Sequence, residues 1–326
     1  MKLQRRDWLI AGGVLSGAGI AGWDNLRGPL AESKLPPSPV AVIKAASYSD
    51  DLVSRIRSGV HACGLNVRGK SVLLKPNLVE FDEATSINTN VAVVAAALEV
   101  FLSMGAAAVR IAEGPGHRRD TWSLLELAGY RTGIEGFDAR FTDLNRDDVS
   151  PVAGFAGERE FYFPDTALAA DLIVSMAKMK THHWAGATLS MKNLFGLVPG
   201  SVYGWPKNKL HFIGIPRSIV ELNRQFRRTF AIVDGIVGME GNGPIQGRPK
   251  PAGVLVMGRD LLAVDATCCR VMGIDPDKVE YLDRAMKLEQ GPLGQIHEGH
   301  IEQRGERPDA VRTDFALIDS FAGLRL

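Results

Sequence analysis

Cysteine is scarce in this chain, with Cys63, Cys268 and Cys269 the three among 326 residues. They form no Cys-x-x-Cys pair, so they cannot by themselves build a four-cysteine zinc site, and no intrinsic iron–sulfur cluster is expected. The adjacent Cys268 and Cys269 lie in an apolar helical pattern and read as buried structural thiols. Aromatic residues make up 7% of the chain, too few for a base-stacking surface, and 38 basic residues stand against 37 acidic ones. That balance supplies no basic face, so no nucleic-acid partner is expected. Neither EGPGH nor MEGNGPIQG matches the phosphate-binding patterns GxGxxG or GxxxxGK[ST], and the zinc pattern HExxH is missing. No nucleophile elbow surrounds Ser190 or Ser201, which argues against Ser/His/Asp hydrolysis. There is no internal repeat, and no apolar run long and strong enough to read as a membrane span.

What is present is an ordinary globular composition, 45% hydrophobic, in a chain long enough to bury a large core. The N-terminus, MKLQRRDWLIAGGVLSGAGIAGW, has a short basic head with Arg5 and Arg6, then Trp8, Leu9 and a Gly/Ala-rich run. This resembles a twin-arginine export signal. A Sec signal or an uncleaved anchor is the alternative; Ala31 offers a cleavage site, though no clean A-x-A stands there. Residues 1–39 are read as signal segment and linker, and 40–326 as a single α/β domain. The expected partner is then the twin-arginine export machinery and the expected location periplasmic or exported. Membrane contact would come only through an uncleaved N-terminal segment.

From Val40 onward, short apolar runs alternate with amphipathic segments. VAVIKA, SVLLKP, AVRIAEG, LIVSMAK, FAIVDG and AGVLVMG are apolar throughout, as strands buried on both faces are. Helical spacing covers residues 51–62, 90–104, 121–128, 217–227, 262–272 and 276–289, with Gly105 placed to cap the second. The alternation predicts an α/β fold with a mostly parallel sheet flanked by helices. The stretch 138–163 breaks the rhythm and reads as a small antiparallel insertion. Met176, Met179 and Met191 read as core, RQFRRTF as a solvated helix end, and Trp205–Phe212 as an aromatic-packed loop rather than a lid carrying His211.

In open α/β sheets, ligands bind beyond the carboxyl ends of the strands. Five apolar runs are followed there by polar groups: Lys75 and Asn77; Glu113, the EGPG turn and His117; Lys178, Lys180, His182, His183, Lys192 and Asn193; Asp234 and Glu240; Arg259, Asp260 and Asp265. A single composite site is expected from them. Asp234, Glu240 and Asp265 are the carboxylates suited to a divalent metal, with helix capping the competing role for Asp260 and Asp265. The lysines call for carboxylates or an anionic ligand, since an unanswered buried ammonium is costly. Lys180 and Lys192 are the expected anion clamps, His182 an acid/base or ligand, and Asp234 a base or metal ligand. Lys75, Asn77, Glu113, Asn193 and Gly243 are the expected ligand-binding residues. A lysine beside carboxylates also permits proton abstraction where burial lowers its pKa.

The blocks LLKPNLV, AKMKTHHWAGATLSMKNLFGLVPG and IVDGIVGMEGNGPIQGRPKPAGVLVMGRDLLAVDATCCRVMGIDP resemble the signature blocks of the domain of unknown function 362 family, in order from about Val40 to Gly294. Many relatives carry a ferredoxin-like segment with repeated Cys-x-x-Cys motifs, which this chain lacks. The resemblance assigns no activity. It implies site candidates only: Lys75, Asn77, Lys180, His182, Lys192, Asn193, Asp234, Glu240, Gly243 and Asp265. The reading is of an exported enzyme acting on a small anionic substrate, with a divalent metal as the cofactor it leaves open. The alternative is a periplasmic binding or cofactor-maturation protein without turnover.

Overall fold

The computed structural model describes residues 35–116 and 120–326. The twin-arginine-type segment and His117 lie outside the described residues. Twelve strands are formed: β1 (Ser38–Lys44), β2 (Ser71–Pro76), β3 (Ala108–Glu113), β4 (Phe141–Asp143), β5 (Val149–Ala153), β6 (Glu160–Pro164), β7 (Leu172–Met176), β8 (Lys178–His182), β9 (Gly186–Thr188), β10 (Thr229–Asn242), β11 (Gln246–Gly258) and β12 (Ile301–Gly305). The main sheet has the order β12-β1-β11-β10-β7-β2-β3-β4, with β8 pairing to β10 and β9 to β8. Along that path β11 alone runs against the other strands.

Each central strand faces two cores. Val72 and Leu74 point into one apolar cluster and Leu73 into the other; Leu255 and Met257 likewise oppose Val254 and Val256. Successive side chains on a strand alternate faces, so burial on both sides demands the continuous apolar runs seen in the sequence. Helices Leu52–Ala62 and Val91–Ser103 cover one face; Ile215–Gln225, Leu261–Val271 and Glu280–Met286 cover the other. The fold is therefore a mostly parallel α/β sheet flanked by helices. Among the described residues no helix is long and apolar enough to cross a membrane.

Local chemistry fixes the element ends. The Asn90 side chain accepts from Ala92 N–H and starts its helix; at the other end Gly105, at φ +82°, allows Gly105 N–H and Ala106 N–H to reach the Leu102 and Phe101 carbonyls. That pairing satisfies carbonyls the helix leaves open. The expected antiparallel insertion is the β5–β6 pair, while the segment before it adds β4 to the main sheet.

Two sequence expectations change. Asp234 is not at a strand end, because β10 continues to Asn242 and forms a long hairpin with β11. Asp234 instead meets Lys178 at 2.6 Å, with both side chains almost fully buried. Lys178 also donates to Tyr48 Oη and the Val237 carbonyl, while Asp234 accepts from the Asn90 and Ile236 amides and from Tyr48. Burial lowers the Lys178 pKa and Asp234 opposes that shift. The network pins the irregularity between Gly235 and Val237, past the end of the β10 pairing with β7 at Ala231.

The second change comes from strand direction. β11 runs antiparallel to β10, so its carboxyl end lies beside the start of β10, with Gly258 opposite Ala231. Asp260 is thus carried away from the parallel strands' carboxyl ends. Asp260 caps helix Leu261–Val271 through Ala263 N–H, and Asp265 accepts from the Ser190 and Met191 amides. Burial pushes the Asp265 carboxyl up to about 7.

If Asp234 is a structural counter-charge, Lys178→Met should cost about 3–5 kcal/mol by leaving a buried carboxylate unpaired. Urea unfolding measures this, and sulfate affinity of the folded variant should stay within about twofold of the parent.

Candidate functional site

The sheet order reverses between β2 and β7: the chain moves outward from β2 to β3 and β4, then restarts at β7 and builds β8 and β10 on the other side. Ligand crevices form at such a switch point. Here it opens a cavity of about 820 Å³. Its lining includes Lys75, Asn77, Glu113, Lys180, His182, Lys192 and Asn193, together with Glu80, His183, Thr188, Lys207 and His211.

At the ends of β2 and β3, Lys75 and Glu113 form a buried ion pair at 2.7 Å. Lys75 also donates to Asn193 Oδ1 and the Pro76 carbonyl, while Glu113 accepts from the Leu78 and Gly114 amides. Asn193 returns two bonds, to the Lys75 carbonyl and Ser175 Oγ. Gly196 passes so close that a Cβ there would collide with Glu113 Oε1 and lie 2.5 Å from Lys75 Nζ. Burial lowers the Lys75 pKa, and Glu113 opposes the shift.

The other lysines have no carboxylate partner among the described residues. Lys180, fully buried, donates to the Ile87 carbonyl at 2.8 Å and the Pro244 carbonyl at 3.4 Å. Burial, then the Lys192 and Lys178 ammoniums, push its pKa well below the usual lysine value. In the neutral amine both N–H bonds are already placed on those carbonyls, leaving the lone pair. Lys192 lies 4.9 Å over the Phe195 ring, and burial followed by Lys75 lowers its pKa to about 8. Lys207 is buried with its ammonium on the Val198 carbonyl; burial brings it to about 7, against the pull of Glu113.

The histidines are oriented by the backbone. His182 Nδ1 accepts from the Trp184 and Ala185 amides at 3.0 and 3.2 Å. A nitrogen receiving two N–H donors carries no proton, so the neutral ring presents Nε2–H. Burial, and then Lys192 and His183, hold its pKa far below the ordinary histidine value. His183 is the mirror case: its Nδ1 meets the Gly243 carbonyl at 2.7 Å and must donate, which leaves the lone pair of the neutral ring on Nε2. The two rings stack at 5.0 Å. His182 is therefore a hydrogen-bond donor through Nε2 rather than a base, and His183 is an acceptor through Nε2 in its neutral form. The His211 pKa is lowered by burial and by Lys192.

Several expected residues are not part of this lining. Glu240 is paired with Arg248 at 2.7 Å and Lys250 at 3.6 Å, and accepts from the Ala316 amide. Asp234 belongs to the Lys178 network and Asp265 to the Ser190 turn. The three carboxylates named for a metal are thus spread over three places, and among the described residues no cluster of three or more His, Cys, Asp or Glu side chains can hold an ion. Each lost its availability to a nearer cation or amide. Gly243 acts on the site from behind: its carbonyl fixes His183, and a Cβ there would run into the Thr181 carbonyl. Conversely, Lys207 and His211 come from the stretch read as a packed loop. Short helix Asn208–Ile213 and the preceding left-handed Lys207, at φ +67°, swing them into the crevice. Their only sequence signal was the lysine and histidine among the aromatics of WPKNKLHF.

The fold and crevice define an α/β protein with a cationic cleft at its switch point. Residues 72–270 match the family described as Domain of unknown function (DUF362), and the chain belongs to that family, as its signature blocks indicated. It is 26% identical over 275 residues to the thylakoid-associated protein sll1697 of Synechocystis sp., covering 78% of this chain and 80% of that relative. Among solved structures it is similar to the lactate racemase apoprotein from Thermoanaerobacterium thermosaccharolyticum, at 13% identity and a TM-score of 0.48, covering 73% of this chain and 57% of that one. A Thermotoga maritima protein gives 14% identity and a TM-score of 0.38 over 69% of this chain and 59% of that one.

Lys207 and Lys192 lose their protons as pH rises through about 7 and about 8. Sulfate, whose own charge is constant there, should bind about tenfold or more weaker near pH 9 than near pH 6 by calorimetry, as charge-assisted contacts are lost. Gly196→Ala should split the Lys75–Glu113 pair and destabilise the fold by about 3 kcal/mol in urea melts.

Proposed function

We propose that this chain is an enzyme of the periplasm or cell exterior that binds a small organic anion in the β2/β7 crevice and moves a proton on it. One observation carries the reading: Lys180, Lys192 and Lys207 surround a single cavity with no carboxylate paired to them among the described residues. Such a cluster is costly to fold unless a ligand supplies the negative charge. Lys192 and Lys207 hold the anion. Lys180 and His183 are the nitrogens suited to take a proton, and His182 Nε2–H is suited to donate a hydrogen bond to the charge that develops. Lys75, Glu113 and Asn193 keep the floor in place. Export is supported by the paired Arg5 and Arg6 ahead of the Gly/Ala-rich run, and the export machinery is then a transient partner. The carboxylates suited by type to a metal are engaged elsewhere.

The test is a two-part measurement on the purified chain. Calorimetry with sulfate should show binding that Lys192→Ala weakens about tenfold. Incubating the protein with a panel of small carboxylic acids in D₂O should then give deuterium incorporation for at least one, read by mass spectrometry. Lys180→Met and His183→Gln should lower that exchange at least about tenfold while sulfate still binds. Absence of sulfate binding sinks the reading; binding without exchange across the panel leaves a binding protein and removes the enzyme.

A further inference from the structure

A cavity of about 820 Å³ is far more space than an inorganic anion fills, and lies in the range of pockets that enclose drug-sized ligands. Its lining is of two kinds. Beside the lysines stand Leu78, Phe195, Ile215, Ile245 and Trp184. Trp184 is 61% exposed, unusual for the largest apolar side chain of a soluble fold. It touches His183 at 4.5 Å and His211 at 5.7 Å in edge-on geometry, and no described ring stacks parallel on it. The lining is also incomplete in polar terms. Asn77 Oδ1 and Thr188 Oγ1 are buried there without a hydrogen-bond partner among the described residues. Unsatisfied buried polar atoms are rare in folded proteins and cost free energy, so their presence in the same cavity points to an occupant with more than a charged end.

We infer that the crevice takes an aryl-bearing organic anion: the acid group lies on Lys192 and Lys207, and the planar body stacks on Trp184. This rests on the anion-binding role proposed for the crevice and narrows its substrate class. A bare two- or three-carbon acid would leave Trp184 and the apolar wall wet, whereas a planar ring uses both kinds of lining. Rings stacked in this way gain beyond their buried area.

The probes are inorganic phosphate, 1-naphthyl phosphate and 1-naphthol, titrated into the full chain by calorimetry near pH 6. Naphthyl phosphate should bind at least about tenfold tighter than phosphate, and naphthol should bind weakly or not at all. Trp184→Ala, at an exposed position that threatens no core, should remove the aryl advantage and leave phosphate affinity unchanged. Equal affinities for the two phosphates, or a Trp184→Ala variant that keeps the aryl advantage, overturn the aryl inference while leaving the anion site standing. Binding of neither phosphate overturns the anion site itself, and naphthol binding as tightly as its phosphate overturns the role of the lysines in holding this ligand.

Discussion

The Lys75–Glu113 ion pair is the contact on which the crevice depends. Both side chains are buried, and between them they engage the ends of β2 and β3, the amides of Leu78 and Gly114, and Asn193 from the turn after β9. A buried pair is worth little or nothing net compared with apolar residues of the same shape, yet breaking one partner is severe. Its value here is geometric. Three segments distant in sequence must arrive together for the charges to be satisfied, and Gly196 must have no side chain for them to fit.

That pair also sets the electrostatics of everything above it. Glu113 neutralises Lys75 and Asp234 neutralises Lys178, so the fold commits these two deeply buried carboxylates to two lysines and leaves Lys180, Lys192 and Lys207 with carbonyl or aromatic neighbours. Their pKa values fall chiefly because burial penalises the charged form, with Lys192 and Lys178 adding to the fall at Lys180 and Lys75 at Lys192 and Lys207. Proteins keep such arrangements where function requires them, at the expense of stability. An anion entering the crevice relieves the repulsion and raises those same pKa values, so ligand charge and lysine protonation are thermodynamically linked.

Much of the scaffold was legible in the chain. Six apolar runs are six strands, because a strand covered on both faces has no polar position to spare. Asn90 and Gly105 marked the ends of their helix through backbone hydrogen bonding that involves only near neighbours. The site was legible in its cations, Lys75, Lys180 and Lys192, and in His182 and Asn193. Apart from Glu113, its carboxylates were not: Asp234, Glu240 and Asp265 look alike in sequence, but each is claimed by a partner between 8 and 75 positions away. Strand direction was equally hidden. Nothing local told that β11 would run backward and carry Asp260 to the start of β10, or that Asp265 would be taken up by the Ser190 turn.

By itself the sequence determined the features set by short-range periodicity and composition: the α/β class, the helix caps, the lack of any Cys-x-x-Cys pair and a surplus of lysine and histidine after two strands. Only the tertiary structure decided which of those lysines are neutralised, because pairing is fixed by distances of a few ångströms between remote segments. It also decided that His182 donates and His183 accepts. Those roles depend on whether a ring nitrogen meets two amide N–H groups or one carbonyl, and the Gly243 carbonyl reaches His183 only because the β10–β11 hairpin folds back beside β8.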